Sequence, residues 1–486
     1  MPKAVLIICT IIAVSVSYAQ PPASARNIFK KLHYCKLPGA PDSVLCGSLS
    51  VIENRQTKKG RTINLNIIVV PALHQDSLLA PIFDIDGGPG FADTKNASFY
   101  ADHSNPYHQF HDIVLVDVRG TGGSNSLYCP SLQNNTHLSD QLETMYPPEK
   151  VKKCYYELSK IADLTQYTTT NVVKDFEDVR KWLGYNKISL FSLSYGTRVA
   201  LVYMKMFPSS IESCILWSPV PTYGRMPLYH ARYAQNTLDK LIADCRKDSL
   251  CNNNFPGFET EFNSLEQKGK LLPFTFMVTD SNGRSKKYSI SWNVLETKIR
   301  SLMYSPEGLH TIPFLIHQLY LGNFNPLIKL YSQSIFPDKA FSEGFYLCVT
   351  CSEDVPFINP STIYSLTKGT FMGTYRIDQQ KKACENWTRG KVPKDFLNII
   401  HSNVPTLIFS GGFDPVTPTS LAKEIASTLP NSRLVIIPQM SHMFDGLNNP
   451  ECFDKMAMDF LNNPLHSNPD LNCVKTMISP PYKIKE

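Results

Sequence analysis

The chain has 486 residues, of which 43% are hydrophobic and 19% charged, and its formal net charge is +6. This composition is typical of a globular protein and excludes a disordered or fibrous chain. The basic residues are dispersed, so no stripe of charge indicates nucleic-acid binding, and the length suits two domains or one large domain with an insertion.

The N-terminus predicts an export signal rather than a part of the fold. Residues 4–16 form an apolar run that is short for a bilayer span, and the small-x-small motif Ser17-Tyr18-Ala19 follows it. Cleavage after residue 19 would place the mature chain in the periplasm or outside the cell, with no stable membrane insertion. An anchor that stays uncleaved is the alternative.

Export makes disulfides possible for the cysteines that follow the leader. Their spacing predicts the pairs Cys35–Cys46, Cys129–Cys154, Cys245–Cys251, Cys452–Cys473 and, at longer range, Cys351–Cys384. Cys214 lies in an apolar, strand-like run and is expected to be a buried thiol, which leaves Cys348 over. No Cys-His cluster has zinc spacing, so we expect no metal and no cofactor. Glycosylation sequons begin at Asn96, Asn134 and Asn386.

The first half of the mature chain alternates short apolar runs with turns. Residues 44–54 and 61–71 alternate around a polar turn and predict an antiparallel hairpin. Residues 81–85 and 113–117 are apolar or β-branched almost throughout, which is typical of buried strands. Residues 171–183 have one apolar face and predict a helix with a glycine just past its end.

A strand that turns sharply into a helix is predicted next, over residues 187–203. At the turn, Ser192-Leu-Ser194-Tyr-Gly196 resembles the elbow that presents the nucleophilic serine of α/β-hydrolases. The residues two before and two after that serine must be small because strand and helix nearly touch, and Ser192 and Gly196 meet this demand. A serine on an ordinary strand–helix turn is the alternative interpretation of Ser194.

Between about residues 222 and 392 the alternation of strands and helices stops. Long amphipathic helices are predicted over 229–245, 293–304 and 312–321, with one hairpin that turns at Asn282-Gly283. We interpret this segment as a mainly helical cap that is inserted into the sheet-forming part of the chain.

Strands and helices alternate again after the cap, with strands predicted at 405–410 and 433–437. The whole pattern predicts an α/β protein of the α/β-hydrolase type, with a mostly parallel, doubly wound sheet covered on both faces. The expected divisions are a signal peptide (1–19), the N-terminal part of the core (20–221), the cap (222–392) and the C-terminal part of the core (393–486).

The two strands after the cap each end next to a residue that can complete a catalytic triad. Asp414 follows the first and His442 the second, so that the chain order with Ser194 is Ser, Asp, His, as in α/β-hydrolases. A neutral imidazole activates the serine hydroxyl by taking its proton, and a carboxylate fixes the imidazole tautomer. Taken singly, Asp414 could be a turn residue and His442 a loop histidine. Asp445 competes as the acid but lies in the same loop as His442, where it is poorly placed to reach Nδ1.

Acyl transfer also requires N–H donors aimed at the developing oxyanion. The loop Asp86-Gly-Gly-Pro-Gly90 follows a strand at the point where α/β-hydrolases supply one donor, and we expect Gly88 to provide it. A plain Gly-Pro turn is the alternative. The second donor is expected to be the N–H of Tyr195. Arg119, in the next glycine-rich turn, is expected to tie its loop down and to have no catalytic role.

Together these segments resemble the proline iminopeptidase and tripeptidyl aminopeptidase group of secreted serine α/β-hydrolases. The resemblance covers about residues 44 to 465, and it implies cleavage of peptides from a free N-terminus. Its motifs are Gly-Gly-Pro-Gly, Asp-x-Arg-Gly-x-Gly, Ser-Tyr-Gly-Thr, Asp414-Pro-Val-Thr-Pro418, a late Ser-His, Cys351-Ser-Glu-Asp354 and Cys384-x-x-Trp387. The chain departs from the pattern at Asp86, where many proline iminopeptidases have His, and at Ser192, where Gly is usual.

The resemblance also suggests how the substrate's ammonium group would be held. Glu353 and Asp354 are the candidates because they lie in a matched segment, and acids that only stabilise the fold are the alternative. We therefore expect a secreted serine exopeptidase that acts on peptides. The main alternative is hydrolysis of small carboxylic esters by the same triad, and a catalytically silent binding protein is another. No nucleic-acid partner is expected.

Overall fold

The computed structural model describes residues 26–75, 79–133, 137–279, 282–333 and 341–485. The predicted leader and the sequon at Asn134 lie outside these ranges. None of the helices described within them is long and apolar enough to cross a membrane.

A nine-stranded sheet forms the centre of the described chain, in the order β1-β2-β3-β5-β4-β6-β7-β10-β11. From one edge, the first three pairs (β1 with β2, β2 with β3, and β3 with β5) are antiparallel, and the remaining five pairs are parallel. The mostly parallel sheet predicted from the sequence is therefore confirmed. Its strands are β1 (His33–Cys35), β2 (Val44–Ile52), β3 (Thr62–Val70), β4 (Ile82–Ile85), β5 (Ile113–Val116), β6 (Ile188–Leu193), β7 (Ile211–Trp217), β10 (Thr406–Gly411) and β11 (Ser432–Ile437).

The helices fall into those that cover the sheet and those of the inserted segment. Those before the insertion are α1 (Asn27–Lys31), α2 (Ala97–Tyr100), α3 (Pro130–Gln133), α4 (Leu138–Gln141), α5 (Pro148–Ser159), α6 (Thr169–Leu183) and α7 (Tyr195–Met206), and those after it are α17 (Thr419–Thr428), α18 (Glu451–Asn462) and α19 (Leu471–Val474). Those of the insertion are α8 (His230–Lys247), α9 (Ser249–Asn254), α10 (Phe258–Leu271), α11 (Trp292–Leu302), α12 (Pro306–Tyr320), α13 (Asn325–Gln333), α14 (Glu343–Glu353), α15 (Pro360–Thr367) and α16 (Tyr375–Glu385).

The central strands are covered on both faces, as their sequences predict. Every residue of β4, β5 and β10 is buried, because parallel strands in such a sheet pack against helices above and below. Helix α6 ends at Gly184, whose φ of 85° is the left-handed conformation that closes many helices.

The inserted segment has its own apolar core, built mainly from α8, α10, α11 and α12. A separate two-stranded sheet, β8 (Phe274–Thr279) with β9 (Ser285–Ile290), packs beside it and confirms the predicted hairpin. Helix α12 begins at Pro306, six residues before the predicted start. The Ser305 hydroxyl accepts from the Gly308 N–H and caps this first turn.

Some residues of the predicted cap pack against the predicted core, and some residues of the predicted core pack against the cap. Residues of α14 and α16 belong to the apolar cluster of the sheet and its helices, although both helices lie within the predicted cap. Near the C-terminus, the Tyr482 hydroxyl donates to Asp244 of α8 at 2.8 Å, so the tail packs on the cap. The division points at residues 222 and 392 stay a prediction.

Disulfides join ten of the cysteines in the described chain. The bonded pairs are Cys35–Cys46, Cys129–Cys154, Cys245–Cys251, Cys351–Cys384 and Cys452–Cys473. Cys214 and Cys348 are free and buried. The pairing predicted from spacing is confirmed, including the two unpaired thiols.

Candidate active site

Ser194 lies at the sharp turn between β6 and α7. Its backbone has φ 52° and ψ −117°, a conformation that costs energy for a residue with a side chain. The Ser194 N–H donates to the carbonyl of Trp217, at the end of β7, with a distance of 2.9 Å. Strained backbone held by a neighbouring strand is the geometry expected for an elbow that lifts a serine off the sheet.

The small neighbours of Ser194 are required by close packing. A Cβ on Gly196 would collide with the carbonyl oxygen of Ile85 in β4. Ser192 is fully buried, and its hydroxyl donates to the carbonyl of Ile215 at 2.6 Å. That hydrogen bond explains how a polar side chain is tolerated where the family resemblance has glycine.

Asp414 and His442 are brought together from the ends of β10 and β11. His442 Nδ1 lies 2.8 Å from Asp414 Oδ2, and both side chains are buried. Asp414 also accepts from the N–H groups of Val416 and Thr417 and from the Thr417 hydroxyl. Burial acts to raise the pKa of Asp414, but His442 and these hydrogen bonds outweigh it and hold that pKa below its ordinary value. The competing acid, Asp445, is exposed.

The loop that contains His442 is held in place by a residue that follows β7 and by a residue of the cap. The Ser218 hydroxyl, directly after β7, donates to the carbonyl of His442 at 2.8 Å. From the cap side, the Tyr304 ring lies 5.2 Å from the His442 ring in an edge-on contact, and the Met443 N–H donates to the Tyr304 carbonyl. The turn that follows α11 therefore fixes the position of the imidazole.

The glycine-rich loop after β4 lies against the elbow. A Cβ on Gly87 would come within 3.1 Å of the Ser194 Cβ. The Gly87 N–H already donates to the carboxylate of Asp86 at 2.6 Å. Gly88 has a φ of 112°, which favours glycine. Tyr195 is the first residue of α7, where backbone N–H groups have no partner within the helix. The assignment of Gly88 and Tyr195 as oxyanion donors stays a prediction.

Arg119 has the architectural position that the sequence indicated. It is fully buried, and its guanidinium forms two hydrogen bonds with Asp175 of α6, at 2.6 and 2.7 Å. It also donates to the carbonyls of Glu53 and Gln166. Four hydrogen bonds from this turn to three other segments explain why an arginine lies in it.

Glu353 and Asp354 have a partner that the sequence did not suggest. Both are completely buried at the end of α14, and Asp354 forms two hydrogen bonds with Arg198 of α7, at 2.9 and 3.0 Å. Glu353 accepts from the N–H and hydroxyl of Thr169, both at 2.6 Å, and lies 3.8 Å from Arg198. Burial raises the pKa of Glu353 to about 7. We expected acids at the edge of the cap, but these lie inside the core under the helix that follows Ser194.

Three basic side chains near the triad were missed in the sequence. They are His230 at the start of α8, Arg300 in α11 and Arg376 in α16. Burial lowers the pKa of His230, and the charges of Arg300, Arg376 and His442 lower it further. No motif could have indicated this cluster, because its members come from three separate helices of the insertion.

Comparison with known proteins agrees with this geometry. Residues 86–259 match the family described as the alpha/beta hydrolase fold, and residues 369–473 match the family described as TAP-like protein. The chain is 23% identical to the serine protease Hip1 of Mycobacterium tuberculosis over 88% of this chain and 86% of that protein. It is 24% identical to the tripeptidyl aminopeptidase of Streptomyces lividans, over 37% of this chain and 36% of that protein.

The two family matches lie on either side of the region that contributes most of the cap. The first includes the glycine-rich loop after β4 and Ser194, and the second includes Asp414 and His442. The chain is therefore a serine hydrolase of the α/β-hydrolase fold with a TAP-like C-terminal region, similar to known peptidases.

Proposed function

We propose that this chain is an exported serine peptidase that releases residues or short peptides from the free N-termini of peptide substrates. The observation that carries the catalytic part is the buried Asp414–His442 pair beside a strained serine at a strand–helix elbow. The similarity to a tripeptidyl aminopeptidase supports the choice of the N-terminal end. Five disulfides and the apolar leader sequence support export, because disulfides persist in oxidising compartments.

Acylation begins when His442 Nε2 takes the proton of the Ser194 hydroxyl. The Oγ forms a bond to the carbonyl carbon of the scissile amide, and the carbonyl oxygen becomes an oxyanion that faces the N–H groups of Gly88 and Tyr195. The imidazolium then gives its proton to the leaving amine, and the C–N bond breaks. Asp414 stabilises the imidazolium through the 2.8 Å contact with Nδ1.

Water completes the cycle by the same steps in reverse. His442 takes a proton from the water, the oxygen bonds to the acyl carbon, and the ester bond to Ser194 Oγ breaks as the oxygen regains its proton. Asp414 has a lowered pKa and remains ionised in both half-reactions, so a single proton moves between the serine, the imidazole and the leaving group.

A substrate panel tests the proposed activity against hydrolysis of esters. We expect tripeptidyl or aminoacyl amides to be cleaved with a higher kcat/KM than short acyl esters of matched size, and the Ser194→Ala variant to cleave neither. N-terminal acetylation should lower kcat/KM if the free N-terminus is recognised. Turnover of esters alone would overturn the peptidase proposal and favour a carboxylic-ester hydrolase.

A further inference from the structure

Two cap arginines near the triad have guanidinium nitrogens without partners. Arg300 is 4% exposed, and its Nε and Nη2 are buried without a hydrogen bond in the described structure. Arg376 is partly buried, and its Nε is likewise unpartnered. Both ring nitrogens of His230, which is also buried, share this property. Buried donors without partners are costly, so their grouping indicates a place for a ligand.

Arg300 approaches the triad through Tyr304. Its guanidinium carbon lies 5.2 Å from the centre of the Tyr304 ring, and that ring lies 5.2 Å from the ring of His442. A single aromatic side chain therefore separates the cation from the catalytic base.

Arg376 is connected to the glycine-rich loop after β4 through two aromatic side chains. Its Nη2 donates to the Tyr346 hydroxyl at 3.3 Å, and the Tyr346 ring lies 6.3 Å from that of Phe341. Phe341 packs on the loop so closely that a Cβ on Gly90 would come within 2.9 Å of its ring. One aromatic side chain thus lies between Arg300 and His442, and two lie between Arg376 and the glycine-rich loop.

The acidic groups nearby do not neutralise these cations. Asp414 is paired with His442. Glu343 influences Arg376 electrostatically, but it accepts the Tyr146 hydroxyl at 2.5 Å, and burial raises its pKa. Within the described residues, neither Arg300 nor Arg376 forms an ion pair within 4.0 Å. The wall of the site contributed by the cap is therefore positive.

We propose that Arg300 and Arg376 form a carboxylate-binding subsite beside the triad, so that the preferred substrates are peptides with a carboxylate close to the scissile bond. The inference rests on the proposed peptidase function and names its substrate class. A guanidinium offers paired N–H donors that match a carboxylate, which makes it the side chain suited to this task. The carboxylate can belong to an Asp or Glu side chain, or to the C-terminus of a short peptide.

The test compares substrates that differ only in that charge. One pair of peptides ends in a free carboxylate or an amide, and a second pair carries Glu or Gln next to the cleaved bond. For the wild-type enzyme we expect kcat/KM to favour the carboxylate by about ten- to a hundredfold in at least one pair, as for hydrogen bonds to charged groups. The pair that responds identifies the source of the carboxylate. Ratios within twofold of one in both pairs would overturn the proposal.

Variants then assign the effect to the arginines. In Arg300→Met and Arg376→Met the carboxylate preference should fall to nearly one, and in Arg300→Lys it should be partly retained. The matched control is Arg232→Met, a cap arginine that donates to the carbonyls of Leu366 and Lys368, and it should keep the wild-type ratio. A ratio within one variant is independent of how much of that variant is folded. An unchanged ratio in both arginine variants would contradict the assignment.

A fluorophosphonate probe separates failure of this inference from failure of the proposed function. Glutarate should slow labelling of wild-type Ser194 at concentrations where glutaramide does not. A labelled enzyme that cleaves neutral peptides, shows no carboxylate preference and is not protected by glutarate would retain its peptidase function and lose the subsite. An enzyme whose Ser194 is not labelled would lose both.

Discussion

The core and the cap both contain arginines with little exposure to solvent, but these arginines differ in whether a carboxylate is paired with them. In the core, Arg119 and Arg198 each face a carboxylate with two hydrogen bonds. In the cap, neither Arg300 nor Arg376 forms an ion pair within 4.0 Å in the described chain. A cation that is paired with a carboxylate stabilises the fold, whereas an unpaired cation next to a nucleophile is available to a ligand. The contrast teaches that burial alone does not identify a functional charge. The ionic partners of a buried charge indicate whether it serves the fold or a ligand.

The partners of the acidic pair Glu353-Asp354 are equally informative about the role of these negative charges. Its place in a segment that resembles aminopeptidases suggested an anchor for the substrate's ammonium group. In the structure the two carboxylates face Arg198 and Thr169, and a substrate would have to displace these partners to reach them. The ammonium role stays a prediction, whereas Arg300 and Arg376 are cations without an ion pair in the described chain.

The largest expected effect comes from removing the charge that is paired with the catalytic imidazole. Asp414→Asn should lower kcat on the order of 10⁴-fold, because the amide stabilises neither the imidazolium nor the productive tautomer. Steady-state kinetics on a cleaved peptide measure this. Asp445→Asn is the control, since that acid is exposed and lies three residues from His442. Equal losses in the two variants would refute the assignment of the acid.

The next largest effect is expected on the free energy of unfolding, when an arginine with a paired carboxylate and one without are each replaced. Arg198→Met should cost about 3–5 kcal/mol of unfolding free energy, because it leaves the buried carboxylate of Asp354 unpaired. Arg300→Met leaves no such partner behind, and we expect a much smaller cost or a gain. Urea unfolding of both variants measures the difference. If Arg300→Met is as destabilising as Arg198→Met, the distinction between arginines with and without a paired carboxylate fails.

Glu353 should make the stability of the core depend on pH. Burial raises its pKa from an ordinary value of 4.5 to about 7, so the folded protein binds a proton that the unfolded chain releases. The stability that this group contributes is fully present below about pH 4.5 and is lost as the pH rises towards 7. The loss should be on the order of 3 kcal/mol.

Glu353→Gln isolates this contribution, because the amide oxygen can still accept from Thr169 but the side chain does not titrate. The difference in unfolding free energy between wild type and variant should change across pH 4.5 to 7 and be constant above it. A difference that is independent of pH would show that Glu353 is ionised throughout, as a carboxylate paired with Arg198 would be.

The smallest effect concerns the elbow. Ser192→Ala removes the hydrogen bond to the carbonyl of Ile215 and should cost about 1 kcal/mol of unfolding free energy, with kcat nearly unchanged. Thermal unfolding and steady-state kinetics measure both quantities. A large fall in kcat with unchanged stability would mean that Ser192 acts in the chemistry rather than in the packing.

Local patterns in the sequence predicted the sheet, the elbow and the disulfides because each depends on residues that are close in the chain. Apolar runs identified β5 and β10, and small residues identified the turn around Ser194. The contact between Asp414 and His442 could be predicted because each residue follows a strand, and parallel strands end at one edge of the sheet.

The charges of the cap could not be predicted in this way. Arg300 and Arg376 lie 76 positions apart in the numbering and are brought together by helix packing. The contacts of Glu353 were not predicted for the same reason, since Arg198 and Thr169 lie in distant helices. The helix α14 was not predicted as part of the core, because its packing against α6 and α7 depends on tertiary contacts rather than on a repeating pattern.

The central claim is that Ser194 is the nucleophile of a serine hydrolase. The most direct measurement is reaction of the folded protein with a fluorophosphonate, followed by peptide mapping of the modified residue. The account predicts a single phosphonylated serine, Ser194, and no labelling of the Ser194→Ala variant. Labelling of a different serine, or an unlabelled wild-type protein with intact fold, would contradict it.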